Sequence, residues 1–232
     1  MKVKLLRYTA DAELLCGAAA LTSSKSGTPS ELLENLSSEK AKRVITRVMG
    51  YGHTSVIEHA SFTFSIEGAS RAMTHQLVRH RIASYTQQSQ RYVTYNTLDS
   101  YVTPPNIANN TEAKKLFDLV LEKISEAYQK LLEMGIHKED ARFILPNAAK
   151  THILVTMNAR ELRHFFNLRC CRRSQWEIRE AAIEMFRQAK KAAPALFEDT
   201  GPSCVELGYC PEGELKPPEC RIPEIKEEFR RM

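Results

Sequence analysis

Residues 59–67 read His-Ala-Ser-Phe-Thr-Phe-Ser-Ile-Glu, and apolar and polar side chains alternate along the stretch. Alternation with a period of two residues is typical of a β-strand that buries one face and exposes the other. The residues expected on the buried face are Ala60, Phe62, Phe64 and Ile66. Residues 151–157 repeat the pattern, with one side formed by Ile153, Val155 and Met157. The two stretches predict strands, so the fold is more than a bundle of helices.

The chain around these strands shows the three-to-four-residue spacing of apolar side chains that indicates α-helix. Residues 28–31, Thr-Pro-Ser-Glu, form a capping box, so a helix is expected from there to Gly50. Ser70 is placed to cap a helix that extends to about Arg81. Further helices are expected over residues 111–134 and after capping boxes at residues 158–161 and 174–177.

The remaining segments lack a clear period. Residues 84–90 and 97–110 are expected to be loops, and residues 92–95 could form a short strand. The sequence therefore predicts one helix-rich α+β domain over residues 1–200. An irregular C-terminal tail, residues 201–232, is expected to pack on or near it.

The composition is that of an ordinary globular protein. The chain has 232 residues, of which 43% are hydrophobic and 26% charged, with a mean hydropathy of −0.38. It contains no apolar run long enough to span a membrane, and its first residues lack the pattern of a secretion signal. Six cysteines in such a chain are expected to be reduced thiols, so a cytoplasmic protein is predicted.

The net charge of +5 is unevenly distributed. Residues 68–98 and 162–176 contain arginine but neither lysine nor an acidic residue. Their eight arginines are Arg71, Arg79, Arg81, Arg91, Arg163, Arg169, Arg172 and Arg173. Because the arginine fork suits phosphate and carboxylate, these segments favour a discrete anion pocket over a diffuse nucleic-acid surface. On charge alone, two solvated basic faces are an equal alternative.

The densest polar cluster lies in residues 76–92. On the predicted helix Gln76, Arg79 and His80 would share one face, and Arg81 would point elsewhere. The amides and hydroxyls that follow suit a ligand with both an anionic group and a flat hydrogen-bonding ring. The alternative is a helix end whose arginines and histidine only cap backbone carbonyls.

Several segments of the sequence resemble the flavin-dependent thymidylate synthases. Arg79-His80-Arg81, seven residues and then Ser89 match the family's RHR-x7-S signature. The further similar segments, in order, are Gly52-His53-Thr54-Ser55 with Glu58-His59, Asn158-Ala159-Arg160, Asn167-Leu168-Arg169 and Gln175-Trp176-Glu177-Ile178. The resemblance covers about residues 1–200.

The resemblance implies a mostly antiparallel sheet and a homotetramer that binds FAD. The expected reaction is the reductive methylation of dUMP to dTMP. The carbon would come from methylenetetrahydrofolate, and the hydride from NADPH through the flavin. No nucleic acid, membrane or metal is implied as a partner.

The resemblance also assigns site residues. Those expected to contact the nucleotide substrate are Gln76, Leu77, Val78, Arg79, Gln87, Gln88, Ser89, Gln90, Arg91, Arg142 and Arg169. Those expected to contact FAD are His53, Ser55, Arg79, His80, Arg81, Gln87, Asn158, Ala159, Arg160 and His164. Arg79 belongs to both sets because it would lie between the two ligands.

Arg169 is the expected catalytic residue. By resemblance it lies against the uracil ring, where a fixed guanidinium favours negative charge on N3 and a carbonyl oxygen. An enzyme thiol is then not needed, so Cys170 and Cys171 are expected to be buried small residues. Ser89 is expected to bond the substrate and not to act as a nucleophile, because no G-x-S-x-G turn surrounds it.

Three positions depart from the family pattern. Gln87 stands where many members have glutamate, Arg173 where many have histidine, and His164 where others have asparagine. Gln87 and His164 remain predicted contacts, and Arg173 is left out of the catalytic set.

Two other classes compete with the enzyme. A zinc or iron–sulfur site would use Cys204, Cys210 and Cys220, but these three thiols lack the usual spacing and a fourth ligand. A single-stranded nucleic-acid-binding module would combine arginines with stacking rings. Its residues would be Arg79, Arg81 and Arg91 with Tyr85, Tyr92 and Tyr95. The slightly acidic remainder of the chain argues against the module.

Overall fold

Four strands form a small antiparallel sheet in the computed structural model, which describes residues 1–93 and 98–232. The spatial order of the strands is β1-β2-β4-β3. They are β1 (Lys2–Tyr8), β2 (Ser61–Ser70), β3 (Ala83–Gln87) and β4 (Lys150–Asn158). Both alternating stretches therefore form strands, as predicted. Phe62, Phe64 and Ile66 of β2 are fully buried, as the alternation requires.

Helices make up most of the rest of the described chain. The first are α1 (Ala12–Thr22), α2 (Pro29–Glu34), α3 (Ser38–Gly50), α4 (Arg71–Leu77), α5 (Pro105–Ala108) and α6 (Thr111–Glu133). The others are α7 (Lys138–Ala141), α8 (Ala159–Arg169), α9 (Trp176–Ala192), α10 (Ser203–Leu207) and α11 (Ile222–Arg231). None of the helices in these described ranges is long and apolar enough to cross a membrane.

The helix predicted from the Thr28 capping box to Gly50 is two helices. The box itself is confirmed, because Thr28 N donates to Glu31 Oε2 at 2.8 Å and Glu31 N to Thr28 Oγ1 at 3.3 Å. The chain then leaves the helix, and Ser37 Oγ accepts from Lys40 N to begin α3. The second cap, Ser37, lies within a continuous apolar spacing and was not predicted. Strand β1 and helix α1 were not predicted either.

The segment after Ser70 also differs from the prediction. Ser70 Oγ accepts from Met73 N as expected, but α4 ends at Leu77, so Gln76, Arg79 and His80 do not share a helical face. The first four residues of the loop predicted over residues 84–90 belong to β3 (Ala83–Gln87). Backbone pairing holds this strand in the sheet and needs no apolar alternation, which explains why periodicity missed it.

Residues 92–110 follow the prediction only in part. Tyr92 and Val93 lie in a turn, so the strand predicted over residues 92–95 is wrong for its first half; its second half lies outside the described residues. The predicted loop over residues 97–110 contains a 3₁₀ turn (Leu98–Ser100) and α5, and residue 97 is outside the described part.

The later helices are confirmed more closely. Asn110 caps α6, and Gly135 follows its end with φ 82°, a conformation that favours glycine. Helices α8 and α9 have 11 and 17 residues. The cap of α9 is Gln175 and not Ser174, because the Gln175 side chain accepts from Glu177 N and Ile178 N.

The C-terminal segment is not irregular throughout. It contains α10 and α11, and α11 buries Ile225 and Phe229. The Phe229 ring lies 5.2 Å from the ring of Phe186 on α9. The proline and glycine residues in 201–218 led to the prediction of an irregular tail, although the amphipathic helix α11 follows them.

The chain divides into two compact units, and each combines separate segments. The first consists of Met1–Lys2, Ile66–Arg79 and Thr86–Ile153. The second consists of Val3–Ser65, His80–Tyr85 and Leu154–Met232. The predicted boundary after residue 200 coincides with neither and stays a prediction.

Each unit has its own apolar core. In the first unit, Leu121 and Tyr128 of α6 form a buried cluster with Tyr101. In the second, α1 packs against α3 through Ala18, Leu21 and Ala41. An aromatic cluster in that unit consists of Phe62, Phe165, Phe166, Phe186 and Phe197.

Candidate active site

The predicted substrate residues lie in the first unit, with the exception of Arg169. The predicted FAD residues lie in the second unit, with the exceptions of Arg79 and Gln87. The two sets are therefore described unit by unit.

Gln87 in the first unit is held by two threonines. Its Nε2 donates to Thr74 Oγ1 at 3.0 Å and to Thr151 Oγ1 at 3.4 Å. Both hydroxyls donate their own protons elsewhere, Thr74 to the carbonyl of Arg71 and Thr151 to that of Gln88. Only lone pairs then face position 87, so the site requires a donor there. This gives a physical reason for an amide at position 87.

Ser89 forms the turn that follows β3. Its Oγ accepts from Arg91 N at 3.2 Å, and its carbonyl accepts from Tyr92 N and Val93 N. Gln88 N donates to His152 O, and Gln88 O accepts from Arg71 Nη2. The turn is thus fixed mainly by backbone groups, and Gln88, Ser89 and Gln90 are half-buried.

Arg91 and Arg142 both contact Glu139. Arg91 Nη2 lies 2.7 Å from Glu139 Oε2, and Arg142 Nε donates to Glu139 O at 3.0 Å. Although residues 68–98 contain no acidic residue, the fold brings Glu139 to Arg91 from outside that segment.

The residues before His80 differ in exposure. The Leu77 side chain is fully buried, Gln76 is half-buried, and Val78 and Arg79 are exposed. Within the described residues, the guanidinium groups of Arg79 and Arg81 make no hydrogen bond or ion pair. Arg91, in contrast, forms an ion pair with Glu139.

A buried polar cluster joins the signature segment to α8 in the second unit. Arg169 Nε donates to His80 Nε2 at 3.0 Å. On the other side of the ring, His80 Nδ1 lies 3.4 Å from Glu161 Oε1. The side chains of His80 and Glu161 are only 3% and 7% exposed. Tyr85 Oη donates to the His80 carbonyl at 2.8 Å, and the Phe165 ring packs edge-on against the imidazole.

Burial and charge set the protonation of this cluster. Burial, the Arg169 charge and His164 lower the pKa of His80 from 6.5 to about 4, so the ring is neutral near pH 7. Burial raises the pKa values of Glu161 and Tyr85. His80 Nε2 is the acceptor of the bond from Arg169, because an arginine nitrogen can only donate, and Nδ1 is the ring atom on the side of Glu161.

The start of α8 carries three of the predicted FAD residues. Asn158 Oδ1 accepts from Glu161 N at 2.9 Å, and Ala159 N donates to Ala60 O. Arg160 forms an exposed ion pair with Glu58. The predicted capping box is only half present, since the Glu161 carboxylate turns inward to His80 instead of back to Asn158 N.

The other predicted FAD residues in the second unit are more exposed. His53 and Ser55 lie at the start of a 3₁₀ segment, Thr54–His59, and make no side-chain hydrogen bond within the described residues. Arg160 and His164, with Thr54, line an open pocket of about 550 Å³. The structure therefore brings these two together but leaves His53 and Ser55 outside that lining.

The cysteines are free, and five of them line one small cavity of about 20 Å³. They are Cys170, Cys171, Cys204, Cys210 and Cys220. Cys170 is buried as predicted, whereas Cys171 is half-buried. Burial raises the pKa of Cys170, which keeps its thiol protonated. Within the described ranges, no group of three or more His, Cys, Asp or Glu side chains is arranged to hold a metal.

The rings proposed for a nucleic-acid module are not presented together. Tyr85 is half-buried with its hydroxyl bonded, and Tyr95 lies outside the described residues. Tyr92 is 76% exposed, with the Arg91 guanidinium 6.0 Å from its ring centre.

Comparisons with known proteins agree on one enzyme class. A family model described as "Thymidylate synthase complementing protein" matches residues 4–195. A flavin-dependent thymidylate synthase of Geobacter sulfurreducens is 49% identical over 235 residues, which cover 100% of this chain and 99% of that relative. The corresponding enzyme of Pyrococcus horikoshii is 50% identical over 227 residues, with 95% and 93% covered.

Two solved structures with a similar fold are proteins that bind a nucleotide. The flavin-dependent thymidylate synthase ThyX from Helicobacter pylori, complexed with FAD and dUMP, matches with a TM-score of 0.69 and 27% identity. The match covers 87% of this chain and 100% of that one. A UMP/dUMP methylase, PolB, from Streptomyces cacaoi, bound with 5-Br dUMP, has a TM-score of 0.69 and 25% identity, and 84% and 92% are covered.

The chain therefore belongs to the flavin-dependent thymidylate synthase family. The resemblance seen in the sequence is confirmed, and the helix-rich fold with a small antiparallel sheet is the one these structures share.

Proposed function

We propose that this protein is a cytoplasmic, homotetrameric enzyme that reductively methylates dUMP to dTMP. Methylenetetrahydrofolate would donate the carbon, and NADPH would donate a hydride through bound FAD. Family membership over nearly the whole chain supports this reaction. It also displaces the nucleic-acid-binding alternative.

The observation that carries the proposal is the bond from Arg169 Nε to His80 Nε2. It joins two segments that are 89 residues apart in sequence and that both match the family's motifs. The bond fixes the guanidinium through Nε, and an arginine is a planar group whose paired donors suit an electron-rich ring. Arg169 is therefore fitted to favour negative charge on uracil N3 and the adjacent carbonyl oxygen.

The residues of the second unit suit a dinucleotide cofactor. Arg81 has a guanidinium without a protein partner among the described residues, and Arg160 is held only by an exposed ion pair that a phosphate can replace. The Asn158 amide nitrogen and the Ser55 hydroxyl offer further hydrogen bonds. FAD, when bound, supplies the hydride transfer that no protein side chain can perform.

The residues of the first unit suit a nucleoside monophosphate. Arg79, Arg91 and Arg142 are the cations proposed to hold its phosphate, with Arg79 also facing FAD. Ser89, Gln87 and Gln90 offer hydroxyl and amide groups, and Gln76, Leu77, Val78 and Gln88 complete the proposed contacts. The half-exposed Arg91–Glu139 pair contributes little stability, so a phosphate competes for that guanidinium at small cost.

The absorbance spectrum of the purified protein tests cofactor and substrate together. We expect a yellow protein with a flavin absorbance band at about 450 nm that changes when dUMP is added. Supplying methylenetetrahydrofolate and NADPH should then yield dTMP. A colourless protein that binds single-stranded DNA with steep salt dependence would contradict the proposal.

The tetramer is tested by light scattering after size-exclusion chromatography. We expect a particle of four times the 26.4 kDa of one chain, with FAD bound. A monomer at micromolar concentration with full activity would contradict the tetramer without affecting the proposed reaction.

A further inference from the structure

We infer that Glu161 is a positioning residue for Arg169. It holds His80 in the tautomer whose Nε2 accepts from the arginine, and so fixes the direction of the guanidinium. The catalytic consequence rests on the proposed function of Arg169, whereas the tautomer itself does not.

The position of the Glu161 carboxylate is the first reason. Glu161 is the third residue of α8, where a glutamate normally reaches back to the cap residue's backbone N–H. Asn158 provides the cap as expected, yet the Glu161 side chain is buried and faces His80. Burying a carboxylate is costly unless it has a specific partner. The described contacts supply one partner in the right place, the Nδ1 atom of His80.

The hydrogen-bonding capacity of the ring is the second reason. A neutral imidazole has one N–H donor and one bare nitrogen, whereas an arginine nitrogen can only donate. With the proton on Nε2, two donors would oppose each other across the 3.0 Å separation, and the guanidinium would have to move. Glu161 Oε1, at 3.4 Å, is the acceptor that makes Nδ1 the favoured site of the proton.

The surroundings of the ring support a fixed arrangement. The Phe165 ring packs against the imidazole with centroids 4.9 Å apart, and Tyr85 Oη donates to the His80 carbonyl. The other charged or titratable groups that face it are Arg169 and the exposed His164. Among the described charged or titratable groups that face the ring, only Glu161 offers a negatively charged acceptor to Nδ1.

The test is nitrogen-15 NMR of histidine-labelled protein, with the His80 signals assigned from a His80→Gln variant. In the parent protein we expect a protonated Nδ1 and a bare Nε2. In Glu161→Leu we expect a mixture of tautomers or the reversed one, and in Glu161→Gln, which keeps an acceptor oxygen, at least partial recovery. Glu206→Gln is the matched control, because Glu206 contacts α8 through Arg163 and Asn167 instead.

Kinetics give the functional readout. Glu161→Leu should retain FAD and its reduction by NADPH, while dTMP formation falls by at least about tenfold, as when a histidine loses its orienting partner. Glu161→Gln should recover part of that loss.

Two results would overturn the inference. One is the finding that the His80 proton lies on Nε2 in the parent protein. This measurement needs no variant, so it is decisive even if Glu161→Leu fails to fold. The other is an unchanged tautomer in folded Glu161→Leu. Absence of dTMP formation by the parent protein, with the Nδ1 tautomer intact, would count against the proposed function alone.

Discussion

At the scale of single residues, Arg169 is fixed before any ligand arrives, because its Nε is bonded to a buried imidazole. Arg169→Ala should therefore bind FAD and accept hydride from NADPH, but form dTMP about a hundred- to a thousand-fold more slowly. Arg169→Lys should recover only part, because the paired donors are lost.

Following flavin absorbance in the reductive and oxidative half-reactions separates these steps. Arg187→Ala, on the surface of α9, is the control and should leave both unchanged. If Arg169→Ala blocked flavin reduction and spared the step with dUMP, the assignment would be wrong.

The buried neutral state of His80 predicts a pH dependence of stability. Its pKa is about 4 in the folded protein and 6.5 as its ordinary value, so the unfolded chain binds more protons between these limits. The free energy of unfolding should consequently fall as the pH decreases from about 6.5 to 4, and this contribution should level off below.

Urea titrations at several pH values would measure the effect. The same series on His80→Gln, which has no titratable group at this position, should show a shallower decline over that window. Equal slopes for the two proteins would show that His80 does not titrate as described.

Gln87 is expected to tolerate its carboxylate counterpart poorly. In Gln87→Glu, a negative group would face threonine oxygens whose protons are already donated to backbone carbonyls. We expect a loss of about 1–3 kcal/mol in the free energy of unfolding, the cost of leaving the oxygens of the buried Thr74 and Thr151 without a donor. Gln90→Glu, at a half-buried position in the following turn, serves as the comparison. A Gln87→Glu variant as stable as the parent would mean that the hydroxyls rotate to donate.

At the scale of elements, α1 and α3 approach closely at Gly17. A Cβ atom there would lie 2.9 Å from Ala41 Cβ and 2.9 Å from Leu36 Cδ2. Gly17→Ala should destabilise the protein, because overpacking costs about 1–3 kcal/mol. Over most of this range the cost exceeds the roughly 1 kcal/mol that alanine contributes in a helix.

Gly50→Ala is the matched control on α3, since a Cβ there meets no atom within 4 Å. Thermal unfolding of both variants should place Gly17→Ala below Gly50→Ala. The reverse order would show that the two helices separate without cost.

Periodicity predicted the elements whose buried side chains recur at the spacing of their own secondary structure. Strand β2 and helix α6 each bury one face, so their sequences show it. Strand β3 was missed because hydrogen bonds to a neighbour hold it, and these leave no pattern in its side chains. The break before α3 was missed because the apolar spacing continues across it.

At the scale of the whole molecule, the sequence named candidate site residues but not the contacts that they make. Motif matching named His80 and Arg169 as site residues, but nothing in either segment indicated that they bond to each other. Glu161 was interpreted as a cap, because only the folded chain shows where its carboxylate lies. Glu139 was overlooked for the same reason, since it reaches Arg91 from 48 residues away.

Removing FAD is expected to lower the stability of the entire protein. A ligand that binds only the folded state adds about 2.7 kcal/mol to the free energy of unfolding at a hundred times its Kd. The midpoint of thermal unfolding should thus rise with added FAD. Adenosine at equal concentration, which lacks the pyrophosphate, should have a smaller effect, and a midpoint independent of FAD would contradict the cofactor assignment.

The interleaving of the two units has a consequence for inheritance. The chain passes from one unit to the other at five points, one of which is the peptide bond between Arg79 and His80. Neither unit is therefore encoded by a continuous stretch of gene. A single recombination event between two relatives, wherever it falls, joins parts of different parentage within at least one unit. Signature residues that adjoin in sequence must then be kept compatible with two separately packed cores.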